Sequence, residues 1–266
     1  MLKYRSLNVE KILKESIHRK EKTSFSGIFQ ITVNENIKFD IITINSDDTS
    51  VVDRFWNKNY RDFTLNKWCE WSTEKGIYID IGAHTGIYTL SALKANTENR
   101  LITFEPFSLN FHRIISNLRL NNFDNNNVSL FNIAVTDENK IIKFNVNTPW
   151  SYLSKGGKIS ESGVDTKAIK LDSLKISNSN LQIKALKIDT EGEDFKVLQG
   201  AKNLITNNKP KLIVEVRKNN INEIIKFLTG LGYKNIYDEE NIALNDNRLT
   251  SFKDKKISKD IIFEFN

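Results

Sequence analysis

Three groups of residues in this sequence have types and spacings that could do chemistry. The first is Asp80, Gly82 and Gly86 in YIDIGAHTG (78–86), an apolar run that breaks on a glycine and feeds a helix-like segment. A turn of this kind lets a nucleotide-like ligand approach the backbone. The second is Glu105, which closes the next apolar run, RLITFEP (100–106). A carboxylate there can accept both hydroxyl hydrogens of a ribose. The third is Lys187, Asp189 and Glu191 in KIDTEGED (187–194). Alternating positions put these three side chains on one side of an extended chain, provided the strand continues to Glu191. Read alone, acidic residues just before a helix serve its free N–H groups and its dipole.

These residues are positioned by an alternation of strands and helices that begins at residue 76. Buried-strand runs fall at 77–82, 100–106, 128–135, 183–189 and 211–216, with a short β segment in KIIKFNV and another at 168–174. Helical spacing covers 85–95, 108–122 (Leu109, Ile114, Ile115 and Leu118 inward), about 194–205, and 221–231. Two late strands, near 234–244 and 260–266, close the chain. Such alternation implies a parallel sheet covered on both faces, with ligands held at the carboxyl ends of its strands. Residues 1–75 read as an N-terminal extension packed on a 76–266 domain. It comprises a helix over 8–21, a hairpin around residues 34–36, and an aromatic-rich helical segment over 49–72.

Composition narrows the classes. The chain has 266 residues, 39% of them hydrophobic, which supports one large α/β domain with added elements. Cys69 is the single cysteine, so an internal disulfide framework and a multi-cysteine zinc site are excluded, and a reducing cytoplasmic setting is expected. No apolar run approaches the ~20 residues of a membrane span, and the charged N-terminus lacks the apolar core of a signal peptide. Lys and Arg exceed Asp and Glu by 39 to 33, but the lysines are scattered. Nucleic acid is therefore an unexpected partner, although an RNA methyltransferase remains one alternative. A dinucleotide-binding or non-enzymatic Rossmann domain is another, yet the G-x-G-x-x-G spacing is absent around Gly82 and Gly86.

The loop Asp80-x-Gly82-x-x-x-Gly86 matches the D/E-x-G-x-G-x-G loop of S-adenosylmethionine-dependent methyltransferases at three of four positions, with His84 in place of the middle glycine. Further blocks follow in order: FEP (104–106), NLRLN (117–121), NIAVTD (132–137), LDSL (171–174), KIDTEGE (187–193), VLQGA (197–201) and Val214-Glu215. Together, over roughly 76 to 235, they resemble the FkbM-type methyltransferase family.

That resemblance implies a class I Rossmann-like fold. Its seven-stranded sheet is mostly parallel, with an antiparallel C-terminal hairpin and helices on both faces. It also implies an S-adenosylmethionine-dependent O-methyltransferase, acting on a hydroxyl of a sugar, glycan or related natural product. Asp80, Gly82, Ala83, His84, Gly86, Glu105 and Pro106 would then hold the donor, with Asn132, Ala134 and Asp137 toward adenine. Asp189, Glu191 and Lys187 would serve the transfer, as base or as orienting cation. His84 is expected to matter through its backbone. Asp189 with Glu191 or Glu215 could hold a divalent cation, and Glu215 could instead pair with Arg217. Trp150 and Tyr152 could stack on a sugar face.

Overall fold

The computed structural model describes residues 26–44, 48–56, 62–123, 125–145, 157–176, 180–244 and 259–265. The expected helix over 8–21 and the aromatic pair Trp150 and Tyr152 lie outside the described residues. Strands β1 (Gly27–Thr32) and β2 (Lys38–Thr43) form the expected antiparallel hairpin. Asn34 Oδ1 closes its turn by accepting from the Asn36 and Ile37 N–H groups at 3.0 and 2.9 Å. Helices α1 (Thr49–Trp56) and α2 (Phe63–Trp71) follow. The aromatic-rich run makes two helices because Asp62 starts the second, its Oδ1 accepting from the Leu65 N–H at 2.9 Å.

Next come β3 (Ile77–Ile81), α3 (Ile87–Ala95), β4 (Arg100–Phe104), α4 (Ser108–Leu120) and β5 (Val128–Phe131). A separate four-stranded sheet, in the order β6-β9-β7-β8, is formed by β6 (Ala134–Thr136), β7 (Lys140–Asn145), β8 (Lys158–Ile159) and β9 (Val164–Lys170). The last part holds β10 (Ile183–Ile188), α5 (Asp194–Gly200), α6 (Lys202–Asn208), β11 (Lys211–Val216), α7 (Ile221–Gly230), β12 (Tyr233–Tyr237) and β13 (Lys259–Phe265).

The main sheet has seven strands in the order β12-β13-β11-β10-β3-β4-β5. Every pair is parallel except those of β13, which runs antiparallel to both β11 and β12. All five residues of β3 are buried, as a central parallel strand covered on both faces requires. Ile77, Ile79 and Ile81 pack with Leu186, Ile188, Val197 and Leu212 on one face. Tyr78 packs with Trp68, Leu90, Ile213 and Ile41 on the other. From β3 the chain builds outward through β4 and β5; from β10 it builds the opposite way through β11. The switch point, where a ligand crevice belongs, lies between the carboxyl ends of β3 and β10.

Three elements differ from the sequence pattern, each for a local reason. The run 128–135 is two strands, not one. Asn132 Nδ2 donates to the Glu105 and Pro106 carbonyls at 2.8 and 3.0 Å, and the chain leaves the main sheet there. The helix expected over 194–205 breaks at Ala201. Asp172 accepts from the Asn203 and Leu204 N–H groups at 3.0 and 2.8 Å and so starts α6 afresh. In α4, Leu109 is exposed, while Asn110, Arg113 and Asn117 are buried beside Ile114 and Leu118. That inner face is polar because it grips β2. Asn117 Oδ1 accepts from the Ile42 N–H at 2.9 Å, and its Nδ2 donates to the Thr85 carbonyl at 2.8 Å.

Gly82 carries the tightest constraint near the switch point. Its φ is +79°, and a Cβ there would collide with the Asp189 carbonyl oxygen. Gly82→Ala is expected to lower the unfolding free energy by about 3 kcal/mol or more in denaturant melts. Gly230→Ala should be neutral or stabilising, because that residue ends a helix and no atom lies within 4 Å of the added Cβ.

Candidate active site

A cavity of about 200 Å³ opens at the switch point. Gly82, His84, Glu105, Pro106, Ala134, Asp189 and Glu191 line it, so the ends of β3, β4 and β10 and the start of β6 all contribute. Ile133, Phe144, Gly157 and Ile159 close the side nearest the small sheet.

The loop after β3 is built by backbone. The Gly82 and Ala83 N–H groups both donate to the Phe104 carbonyl, at 2.9 and 3.0 Å, which draws β3 against the end of β4. His84 then sits at φ +53°, a left-handed conformation that glycine adopts more readily. Its N–H donates to Glu105 Oε2 at 2.8 Å, and its ring Nδ1 lies 3.8 Å from Asp48 Oδ2. The Phe107 N–H holds the other Glu105 oxygen at 2.9 Å. Glu105 is therefore gripped by two backbone donors. Burial pushes its pKa up to about 7, against the lowering effects of His84 and those two donors.

Asp80 does not line the cavity. It is buried beneath the loop, where Oδ2 accepts from Thr89 Oγ1 at 2.7 Å. Burial raises its pKa to about 6, with Thr89 and the Lys187 charge pulling the other way. Ala83 and Gly86 likewise stay out of the lining and shape the loop. Asn132 braces the carbonyls after β4, as described above. Asp137 accepts from Thr136 Oγ1 at 3.1 Å and lies 3.7 Å from Lys140. Of the residues expected toward adenine, Ala134 alone reaches the cavity.

The KIDTEGED segment resolves into distinct tasks. The strand ends at Ile188, and the Asp189 N–H donates to the Ile81 carbonyl at 3.0 Å. Glu191 falls in the turn at φ +56° and pairs with Arg217 at 2.7 Å. The one-sided arrangement that required an extended chain as far as Glu191 is thus absent. Asp194 serves the turn: it accepts from the Thr190 N–H at 2.8 Å and from the Gly192 N–H at 3.2 Å. Asp189 is left with its side chain 39% exposed at the cavity and 3.3 Å from Lys187 Nζ. Burial opposes the charge on Lys187, but Asp189 and Asp260 outweigh it and hold the pKa well above its ordinary value. A permanently charged ammonium cannot serve as a base; it can orient one.

Glu215 is engaged by Arg217 at 3.2 Å, as is Glu191. Among the described residues, no three His, Cys, Asp or Glu side chains converge as a metal site. Also among them, the cavity's titratable lining is His84, Glu105, Asp189, Glu191 and Glu193, with no Lys or Arg.

Sequence reasoning missed Asn110, which is 1% exposed, lines the cavity and leaves Oδ1 without a hydrogen-bond partner. A buried amide oxygen at the cavity wall is an acceptor for a ligand atom or a water. Phe144 and Ile159 were also missed, since a second sheet brings them to the site and no local spacing announces them.

No curated protein matches the sequence. Among solved structures, a methyltransferase FkbM from Methylobacillus flagellatus shares 16% identity at a TM-score of 0.44, over 82% of this chain and 55% of that one. The chain thus spans little more than half of that protein's length. The N-terminal domain of human METTL16 aligns over 99% of this chain and 96% of its own, at 11% identity and TM-score 0.47. A Pyrococcus abyssi tRNA (uracil-54, C5)-methyltransferase in complex with S-adenosyl-L-homocysteine aligns over 89% and 43%, at 7% identity and TM-score 0.46. The expectation against a nucleic-acid partner gains no support from such likenesses. The family model described as "Methyltransferase FkbM domain" matches residues 80–234, more than half of the sequence. The chain belongs to the FkbM methyltransferase domain family.

Proposed function

We propose that this chain is an S-adenosylmethionine-dependent O-methyltransferase whose acceptor is a hydroxyl of a sugar, glycan or related natural product. In this reading a 76–266 methyltransferase domain carries residues 1–75 as an extension, in a cytoplasmic setting. The observation that carries it is the acid-lined cavity between β3 and β10, with Glu105 held open by two backbone N–H groups.

The lining fits the donor. Its sulfonium and ammonium are cationic, and the lining presents Glu105, Asp189, Glu191 and Glu193, while the cations that pair with the last three, Lys187, Arg217 and Lys196, lie outside the described lining. Glu105 would accept the ribose hydroxyls, and Asn110 Oδ1 offers an acceptor that has no partner within the protein. When bound, S-adenosylmethionine supplies an electrophilic methyl group and leaves as S-adenosylhomocysteine. Asp189 would take the acceptor's hydroxyl proton as the oxygen–carbon bond forms. Lys187 keeps that carboxylate in place. Crowding by Phe144 and Ile133 would limit water in the cavity.

An RNA acceptor is the reading that the net charge of +6 favours. It would show as binding that weakens steeply with salt. The acidic lining supports a small neutral acceptor instead.

Calorimetry should show one S-adenosylhomocysteine bound per chain. Glu105→Ala should weaken it by about 10-fold or more, from the loss of charged hydrogen bonds, while Asp189→Asn changes it little. With labelled S-adenosylmethionine and a glycan panel, Asp189→Asn should lower turnover by about 100-fold or more. Equal loss of donor binding in both variants would refute this division of labour.

The pH dependence has a defined sign. Ribose hydroxyls donate to the ionised form of Glu105, so donor binding pulls its pKa down from about 7. S-adenosylhomocysteine affinity should therefore rise as pH climbs toward about 7 and level off above it, with proton release over the rising part, and Glu105→Gln should flatten that rise. A falling affinity over the same range would contradict it.

A further inference from the structure

A buried cation sits where the carboxyl edge of the main sheet meets helices α2 and α3. The Lys187 side chain is 3% exposed. Its Nζ donates to Asp260 Oδ1 at 2.8 Å and to Asp189 Oδ2 at 3.3 Å, and lies 5.2 Å from the centroid of the Tyr88 ring. Asp80 faces the same space from β3, in register with Lys187.

Asp260 belongs to β13 and does not line the cavity. Its second oxygen accepts from Thr64 Oγ1 at 3.2 Å. The same hydroxyl lies 3.0 Å from Asp62 Oδ1 and 2.9 Å from the Tyr88 hydroxyl. Asp62 in turn pairs with Arg54 at 2.5 Å. Thr64 Oγ1 has one hydrogen, so it donates to Asp260 or to Asp62 but not to both at once; the contacts still place Arg54, Asp62, Thr64, Asp260 and Lys187 in one row that leads to Asp189.

We propose that Asp260 and Thr64 are positioning residues: they fix the Lys187 ammonium, and the ammonium fixes the Asp189 carboxylate at the cavity. The proposal rests on the function given above for Asp189. The two contacts of Lys187 are unequal, and the shorter one is to Asp260. The lysine stem has four rotatable bonds, and a charge this deeply buried must be paired. Asp260 supplies the anchoring partner, which leaves the longer contact to set where Asp189 points. Thr64 stands against the far oxygen of Asp260 at 3.2 Å and limits where that carboxylate can turn. The arrangement makes Arg54, Asp62 and Thr64, which precede the methyltransferase core, part of the site's geometry.

The test reads Lys187 directly. In full-length protein with ¹⁵N-labelled lysine, NMR should find the Lys187 ammonium protected from exchange with water. Asp260→Asn should speed that exchange by about tenfold or more. Thr64→Val should shift it the same way and Thr64→Ser should restore it, a pair that decides the matter if Asp260→Asn does not fold. Calorimetric affinity for S-adenosylhomocysteine should stay within about threefold in all three variants. Protection unchanged in Asp260→Asn and Thr64→Val would overturn the proposal. A general rise in backbone amide exchange, with about tenfold weaker ligand binding, would also overturn it in favour of a purely structural role. If the unsubstituted protein binds no S-adenosylhomocysteine, the proposed function fails. The Lys187 exchange rates still show whether Asp260 and Thr64 hold the ammonium.

Discussion

The missing Cβ at Gly82 is the constraint on which the site depends. It lets the end of β3 meet the Asp189 carbonyl at the end of β10, so that two strands whose connections diverge in opposite directions still close against each other. The loop that follows builds on that contact. The Ala83 N–H and the left-handed His84 turn toward β4, which brings the His84 N–H onto Glu105. The helix after the loop then starts at Ile87, over the buried pair of Asp80 and Thr89.

Charge is distributed to suit that geometry. The carboxylates at the cavity stand in front of a layer in which Lys187 is surrounded by Asp80, Asp189 and Asp260. Burial raises the pKa of Asp80 and Asp260, and the ammonium beside them opposes that rise. Arg217 plays the corresponding part for Glu191 and Glu215, pairing with them at 2.7 and 3.2 Å. The result is an anionic cavity whose acids are individually restrained, a suitable receptacle for a cationic methyl donor.

Much of this was legible in the sequence because the signals are local. Strand periodicity marked β3, β4, β10 and β11, and the residue that ends each strand points to the ligand crevice by the rule for open α/β sheets. Glu105 and Asp189 were found that way, and both line one cavity. What was hidden depends on contacts across the chain. The polar inner face of α4 makes sense once β2 lies beside it, because Asn117 then has two backbone groups to satisfy. Asp172 starts a helix some 30 residues away in sequence, and Asp260 reaches Lys187 across β11. The loop motif assigns Asp80 to the methyl donor, and the structure places its carboxylate on Thr89 beneath the loop, outside the cavity lining.

A crystal structure of the protein with S-adenosylhomocysteine tests the central claim most directly. The account predicts ribose hydroxyls hydrogen-bonded to Glu105, an adenosine atom on the Asn110 amide, and the ligand's sulfur facing the Asp189 carboxylate. A ligand bound elsewhere, or one whose ribose lies away from Glu105, would contradict it.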